Sequence, residues 1–273
     1  MTSTPVHVDR VTISAERLRK KIANGRDVVV LEVRRTPQTD DAAAQRIPGA
    51  HAVTVADFAG PETETSGTFP LPSAEQIQAS IRHWGITADS IVVTYSPDNA
   101  AAAARAWWTL RWAGVPDVRY LDGGVEAWTA AGGALTDEPA TEGASDFVVT
   151  TGALPTLDAD TAAALARSGV LVDTRGAEGY AEAHIPGAGY LPGTANLTDD
   201  GHLADDETLR ARYRELGVEA DTEVGLYCVV GNAAALSVLA LTKIGVPAHY
   251  YPGSLSEYRT DPTRPIATGL ERG

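Results

Sequence analysis

The sequence predicts an α/β protein made of two tandem domains, each a mainly parallel sheet flanked by helices. Short apolar runs alternate with helical stretches in both halves of the chain. The motifs of the first half recur in the same order in the second half. A length of 273 residues is enough for two domains of ordinary size. We place the domains at residues 1–133 and 151–273, joined by a linker over residues 134–150 that contains proline, glycine and acidic residues.

The first half opens with a predicted helix followed by a buried strand. Ser14 is placed to cap the helix, and Leu18 and Ile22 form its apolar stripe. Asn24-Gly25 ends the helix, and Val28-Val29-Val30-Leu31 is typical of a buried strand.

The second half repeats this order. A helix is predicted to begin after Asp158 and to end at Ser168-Gly169, and Val170-Leu171-Val172 forms the next strand. Further along, a strand is predicted to end near Tyr227, and residues 233–244 form a helix rich in alanine and leucine.

Five pairs of segments carry the internal repeat. The spacing between matched segments shortens gradually along the chain, as loop-length changes between two copies of one fold would produce. The matched segments are Glu32-Val33-Arg34 with Asp173-Thr174-Arg175, Ile47-Pro48-Gly49-Ala50 with Ile185-Pro186-Gly187-Ala188, Val93-Thr94-Tyr95 with Gly225-Leu226-Tyr227, Gly114-Val115-Pro116 with Gly245-Val246-Pro247, and Gly123 to Trp128 with Gly253 to Tyr258. We interpret the chain as a tandem duplication.

The composition restricts the classes of partner. A net charge of −14 argues against nucleic acid or an anionic membrane as the main partner. No apolar run approaches the length of a membrane span, and residues 1–10 lack the apolar core of a signal peptide. One cysteine excludes an internal disulfide framework and fits a reducing compartment, so we predict a cytoplasmic protein.

The only cysteine, Cys228, lies between a predicted strand and a predicted helix. Such a turn leaves several backbone N–H groups without helical partners, and together with the helix dipole they favour a bound anion. A thiolate at this position would be stabilised and reactive. The sequence therefore proposes Cys228 as a nucleophile. The structural alternative is a small buried apolar residue, which is the role of most free cysteines.

Taken together, these motifs resemble those of the two-domain rhodaneses, the thiosulfate and 3-mercaptopyruvate sulfurtransferases. The resemblance covers nearly the whole chain. The residues that carry it are Val172-Asp173-Thr174-Arg175, His184-Ile185-Pro186-Gly187-Ala188, Tyr227-Cys228, Tyr251-Pro252-Gly253-Ser254-Leu255-Ser256-Glu257-Tyr258 and, in the first half, Leu121-Asp122-Gly123-Gly124 and Ala106-Trp107-Trp108.

The resemblance implies a sulfurtransferase without a cofactor or a metal. Cys228 would take a sulfane sulfur from a small anionic donor, thiosulfate or 3-mercaptopyruvate, as a persulfide. Cyanide or a thiol, including a protein thiol, would then accept that sulfur. The substrate would be bound by the residues of the following loop, which are Val229, Val230, Gly231, Asn232 and Ala233. Ser96 occupies the cysteine position of the first half, which would therefore be catalytically silent.

Four positions depart from the family pattern in a way that weakens anion binding. Val229 and Val230 stand where basic or small polar residues are usual, Gly179 stands where an arginine is usual, and Ala233 replaces a hydroxyl residue. Arg46, in place of a histidine, is a new cation, and we include it among the substrate-binding candidates. Each charge-assisted hydrogen bond lost would weaken donor binding by about 1.5–3 kcal/mol.

Two other functions remain open at this stage. The missing basic residues allow a non-enzymatic or weakly active persulfide carrier. A phosphatase of the same fold is disfavoured, because the six residues from Cys228 to Ala233 match the rhodanese spacing and include no arginine to hold a phosphate.

Several other residues have a structural interpretation that we prefer. His184 is expected to brace the turn that follows it, and Arg175 to form an ion pair with a nearby carboxylate. Trp107, Trp108 and Trp112 are expected in a core or a domain interface. The acidic stretch after Asn196 partly imitates a calcium loop, but we expect a surface loop that leads into a helix over residues 207–216. The histidines show no metal-ligand spacing.

Overall fold

A computed structural model describes residues 10–37 and 45–273 of the chain. The chain divides into two compact α/β units, and each unit takes a short segment from the opposite half of the sequence. Unit 1 contains Met1–Ala59, Pro72–Ala153 and Asp199–His202. Unit 2 contains Gly60–Leu71, Leu154–Thr198 and Leu203–Gly273.

Unit 1 is organised around a parallel sheet. Among the described residues it has five strands in the order β1-β5-β4-β2-β3, and every neighbouring pair is parallel. The strands are β1 (Thr12–Ile13), β2 (Val28–Arg34), β3 (His51–Thr54), β4 (Ile91–Tyr95) and β5 (Val118–Leu121). Its helices are α1 (Ala15–Ala23), α2 (Ala74–His83), α3 (Ala100–Trp112) and α4 (Gly124–Ala130).

Unit 2 repeats this arrangement with a smaller parallel sheet. Within the part of the chain that the structure describes, its four strands follow the order β7-β6-β8-β9. The strands are β6 (Val170–Asp173), β7 (Gly189–Tyr190), β8 (Val224–Tyr227) and β9 (Ala248–Tyr250). Its helices are α5 (Ala159–Ser168), α6 (Ala177–Glu182), α7 (Asp206–Arg214), α8 (Asn232–Lys243) and α9 (Ser254–Tyr258).

The predicted helix starts are confirmed with their caps. The Ser14 side chain accepts a hydrogen bond from the Arg17 N–H at the start of α1. Asp158 caps α5 in a capping box with Thr161, in which each side chain accepts from the backbone N–H of the other. Asp205 caps α7, which begins one residue before the predicted helix, so the stretch that imitates a calcium loop leads into this helix as expected.

Two tryptophans of α3 lie in the core of unit 1, as predicted, and the third is half-buried beside them. Trp107 and Trp108 are fully buried, and Trp112 stacks on Trp108 with ring centroids 6.1 Å apart. Such burial contributes strongly to stability, because each ring removes a large apolar area from water. The helix that carries them follows β4 and packs on the sheet, so it also holds the end of β4 in place.

Residues 134–150, predicted as a linker, form an extended segment that hydrogen-bonds to unit 1. The Gly143 N–H donates to the His83 carbonyl at 2.9 Å, and the Thr150 N–H donates to the Ala113 carbonyl at 3.1 Å. Phe147 is buried. Among the described residues, no helix has both the length and the apolar character needed to cross a bilayer.

Candidate active site

The candidate nucleophile follows β8 directly. Cys228 is 4% exposed and begins a turn that ends at Gly231, where α8 starts. Gly231 has φ = 90°, a left-handed conformation that glycine adopts without a Cβ clash. We call residues 228–233 the cysteine loop.

The backbone N–H groups of the cysteine loop are available to an anion. The Gly231 N–H donates to the Cys228 Sγ at 3.0 Å. Within the described part of the chain, the N–H groups of Val229, Val230, Asn232 and Ala233 have no protein acceptor. Unpaired amides at the start of a helix stabilise negative charge, so the loop suits a thiolate or an anionic sulfur group.

The side chains of the cysteine loop are mostly apolar. Val229 is 44% exposed beside the buried cysteine, and Val230 and Ala233 are half-buried. Asn232 is the polar exception, because its Oδ1 atom is buried and has no hydrogen-bond partner in the part of the chain that the structure describes. A buried acceptor without a partner is unfavourable by about 1–3 kcal/mol, and such atoms in native proteins usually meet water or a ligand.

An ion pair with a buried carboxylate forms at the end of β6, as predicted for Arg175. The guanidinium of Arg175 donates to both carboxylate oxygens of Asp173, at 2.9 and 2.6 Å, and also to the Ala183 carbonyl. The pKa of Arg175 is raised overall. Burial lowers this pKa, but the hydrogen bonds and charge of Asp173 together raise it by more, with smaller contributions from Tyr227 and Cys228. Arg175 is therefore a fixed cation whose field reaches the cysteine.

Gly179 lies on α6 and faces this arginine. A Cβ atom added at Gly179 would lie 3.6 Å from the Arg175 Cδ and Nη1 atoms, an ordinary van der Waals distance. The first atom of a side chain can therefore be accommodated at this position. The absence of an arginine at Gly179 removes a cation from the unit.

Ser254 holds the cysteine backbone, a role that the sequence analysis did not assign. Its buried Oγ accepts a hydrogen bond from the Cys228 N–H at 3.2 Å and donates to the Tyr251 carbonyl at 2.9 Å. Ser254 has φ = 54°, whereas the matched position in unit 1 is Gly124, with φ = 59°. The sequence did contain a signal for this role, because the second copy has serine where the first copy has glycine. A non-glycine residue in a strained backbone conformation often has a functional reason.

Arg46 and His184 occupy matched positions in the two units. Arg46 pairs with Thr136 through two backbone hydrogen bonds in unit 1, and its buried Nε atom has no partner among the described residues. His184 pairs with Ala267 in the same way in unit 2. The His184 Nδ1 also donates to the Tyr180 carbonyl at 3.0 Å, and its ring stacks on Tyr180, so His184 braces its turn as expected.

Sequence comparison assigns the family. Residues 14–131 and 158–261 each match the rhodanese-like domain. The chain belongs to the rhodanese-like domain family. The predicted resemblance and the two-domain α/β fold are therefore confirmed. Both family matches contain the matched loops, one with Ser96 and the other with Cys228.

Two relatives extend over nearly the whole chain. A Mycobacterium tuberculosis protein, provisionally named thiosulfate sulfurtransferase SseB, is 38% identical over 95% of this chain and 98% of its own length. A Pseudomonas aeruginosa protein, provisionally named 3-mercaptopyruvate sulfurtransferase, is 36% identical over 94% of this chain and 98% of its own length. The relatives thus carry the names of two kinds of sulfurtransferase.

A solved structure shares the fold. An anaerobic ergothioneine biosynthesis enzyme from Chlorobium limicola, in complex with trimethyl histidine, superimposes with a TM-score of 0.86 at 21% identity. The match covers 97% of this chain and 72% of that chain.

Proposed function

We propose that the protein is a sulfurtransferase that uses Cys228 as its nucleophile. In the first step the Cys228 thiolate attacks the outer sulfur of thiosulfate. The sulfur–sulfur bond of the donor breaks, sulfite leaves with the bonding electron pair, and Cys228 becomes a persulfide. With 3-mercaptopyruvate a carbon–sulfur bond breaks instead, and the carbon takes a proton as pyruvate leaves.

In the second step an acceptor removes the transferred sulfur. Cyanide or a thiolate attacks the outer sulfur of the persulfide, the bond to the Cys228 Sγ breaks, and the thiolate is regenerated. No external oxidant is needed, because in each step one bond to the transferred sulfur forms as another breaks, and the leaving group keeps the bonding electron pair.

The single observation that carries the proposal is the set of amides around Cys228. One of them, the Gly231 N–H, donates to the Sγ atom at 3.0 Å, and four others in the loop have no acceptor among the described residues. Pre-oriented N–H groups stabilise charge without reorganisation during the reaction. They would serve the thiolate before transfer and the persulfide anion after it.

The loop residues supply the proposed substrate contacts. The N–H groups of Val229, Val230, Gly231, Asn232 and Ala233 would bind the anionic part of the donor. The unpaired Oδ1 of Asn232 is a hydrogen-bond acceptor, so it would contact the S–H of 3-mercaptopyruvate and not an anionic group. Arg46 remains a proposed donor-binding cation, since its buried Nε has no partner. Replacing Arg46 with alanine should raise the KM for thiosulfate, and an unchanged KM would remove Arg46 from the proposal.

The decisive experiment compares wild type with Cys228→Ser. Wild type should form thiocyanate from thiosulfate and cyanide, or pyruvate from 3-mercaptopyruvate with a thiol, whereas the variant should form neither. Intact mass spectrometry after exposure to the donor should show one added sulfur atom on wild type only. Equal activity of the two proteins would refute the role of Cys228.

The missing cation at Gly179 favours a persulfide carrier as the second candidate. Such a protein would accept sulfur from another persulfide and show little turnover with thiosulfate. The test is Gly179→Arg, which should lower the KM for thiosulfate about tenfold if one charge-assisted contact is restored. Persulfide formation without turnover in both proteins would favour the carrier.

A further inference from the structure

The cysteine loop is held from one side by α9. The Leu255 N–H donates to the Cys228 carbonyl at 3.0 Å, and the Ser256 N–H donates to the Val229 carbonyl at 2.9 Å. Because these bonds fix the first two carbonyls of the loop, they also fix the direction of the N–H groups that follow. Any displacement of α9 would therefore move the amides around the sulfur.

The same helix contacts a segment that lies almost two hundred residues earlier in the sequence. We call Gly60–Leu71 the arm; it belongs to unit 2, although the chain on either side of it belongs to unit 1. The Thr68 N–H of the arm donates to the Ser256 Oγ at 3.0 Å. Ser256 thus bonds to the cysteine loop through its backbone and to the arm through its side chain.

At Gly67 the backbone of the arm lies so close to α9 that no side chain fits between them. A Cβ atom added at Gly67 would lie 2.4 Å from the Glu257 nitrogen and 2.7 Å from the Ser256 Oγ. Gly67 also has φ = 67°, which L side chains rarely adopt. Only glycine therefore permits this contact.

The arm has a defined shape of its own. The Gly60 N–H donates to the Pro70 carbonyl at 2.9 Å, which closes the segment, and the Ser66 Oγ donates to the Gly67 carbonyl. Phe69 is held at φ = 54°, a conformation that persists only where the surrounding structure imposes it. Because the arm is closed and strained, it holds a fixed position against α9, which it contacts at Ser256.

We propose that the arm is a positioning element for the cysteine loop and that Ser256 is the residue through which it acts. The catalytically silent half of the sequence would then contribute to sulfur transfer by fixing α9 and, through it, the amides around Cys228. This inference rests on the proposed sulfur transfer and adds to it the requirement for the arm.

The first test is Gly67→Ala, with Gly25→Ala as the matched control. Gly25 has φ = 62° and no atom within 4 Å of an added Cβ, so its substitution reproduces the backbone strain without the collision. We expect Gly67→Ala to lower kcat for sulfur transfer about tenfold or more, because small displacements of reacting groups are costly. Gly25→Ala should keep wild-type kcat. Equal kcat values for the two variants would overturn the proposal.

The second test is Ser256→Ala, with Ser256→Thr as the rescue. Alanine removes the acceptor for the Thr68 N–H, whereas threonine keeps a hydroxyl. We expect the alanine variant to lower kcat and change the rate of Cys228 alkylation by iodoacetamide, and threonine to restore both. Effects of Ser256→Ala and Gly67→Ala should be non-additive in the double variant, since both act on one contact. Fully additive effects would contradict a shared pathway.

The alkylation rate separates the two proposals. If wild type transfers no sulfur, the proposed function fails, yet the rates in wild type, Ser256→Ala and Ser256→Thr still report whether the arm positions the loop. If Gly67→Ala does not fold, as judged by circular dichroism, the Ser256 variants decide. An alkylation rate unchanged by Ser256→Ala would overturn the role of Ser256.

Discussion

The two copies of the fold place different groups at the same turn. In unit 2, the Cys228 Sγ accepts the Gly231 N–H, three residues ahead. In unit 1, the Ser96 Oγ accepts the Asn99 N–H, also three residues ahead, at 3.0 Å. The geometry of the turn is therefore shared, and the difference lies in what happens to the remaining amides.

The serine loop (residues 96–99) satisfies its own polar groups. The Asn99 Oδ1 accepts the Ala101 N–H at 3.0 Å and so caps α3. The Ser96 Oγ donates to the Asp98 carboxylate at 2.9 Å, which places a negative charge beside the turn. In the cysteine loop, Gly231 has no side chain to cap α8, so the amides stay open. Unpaired N–H groups for an anion therefore remain at a helix start only where no side chain caps it.

The largest expected effect concerns an exchange of the two residues. Cys228→Ser should lower sulfur transfer at least about a thousandfold, and adding Ser96→Cys should restore none of it. A thiolate at position 96 would face the Asp98 carboxylate and a capped helix start. Thiocyanate formation and intact mass after donor treatment are the measurements. Recovered activity in the double variant would show that the two loops are equivalent after all.

The second prediction compares the ion pairs below the two loops. Arg175 makes several hydrogen bonds to the fully buried Asp173, whereas among the described residues Arg34 makes one, at 2.9 Å, to the fully buried Glu32. Glu32 also accepts from the Tyr95 hydroxyl at 2.7 Å. Arg175→Met should therefore reduce the free energy of unfolding by about 3 kcal/mol, and Arg34→Met by about 1 kcal/mol. Urea unfolding measures both, and equal losses would contradict the comparison.

The third prediction concerns the asparagines at the two helix starts. Asn99→Ala should destabilise the protein by about 1 kcal/mol because it removes a cap. Asn232→Ala should leave stability unchanged, or raise it by up to about 1 kcal/mol, because it removes a buried acceptor that has no partner. Thermal unfolding measures stability in both. In the sulfur-transfer assay, Asn232→Ala alone should lower kcat/KM severalfold, and a loss with Asn99→Ala of the same size would count against substrate contact.

The smallest expected effect is on pH dependence. Burial, with a contribution from Asp158, raises the pKa of Glu257, whereas the matched residue in unit 1 is Ala127. A raised carboxyl pKa in the folded state favours folding below the unfolded pKa, and this contribution is lost as the pH rises through the folded value. Glu257→Gln should therefore gain stability relative to wild type between pH 4 and pH 8, a range that spans ordinary carboxyl titration.

The control for that measurement is Glu126→Gln, which removes an exposed carboxylate from α4 of unit 1. Its stability difference from wild type gives the effect of losing a carboxylate that the fold leaves exposed. Thermal midpoints recorded across the range compare the two variants. A Glu257→Gln curve parallel to wild type would show that burial of this carboxylate has no energetic consequence.

Much of the fold was predictable because its signals are local. The caps at Ser14 and Asp158 follow from the ability of short polar side chains to accept the first helical N–H groups. The continuous apolar strands predicted parallel sheets buried on both faces. The repeat of motifs predicted two copies, and the strand–turn–helix pattern around Cys228 predicted the amides that the structure places there.

Other features were not predictable because they depend on residues far apart in the chain. The sequence analysis missed the Ser254 hydroxyl as the acceptor of the Cys228 N–H. It also did not identify why the N–H groups at the start of α8 stay unpaired, which follows from the absence of a side-chain cap at Gly231. The sequence also divides the chain at one linker, whereas the compact units exchange Gly60–Leu71 and Asp199–His202.

The two copies, the order of their elements and the position of the proposed nucleophile can all be read from the sequence. Each of these follows from interactions between near neighbours, such as apolar periodicity, helix capping and turn formation. The contacts that hold Cys228 in place are visible only in the folded chain. The contact between Thr68 and Ser256 forms after the chain has closed on itself, so no local pattern specifies it.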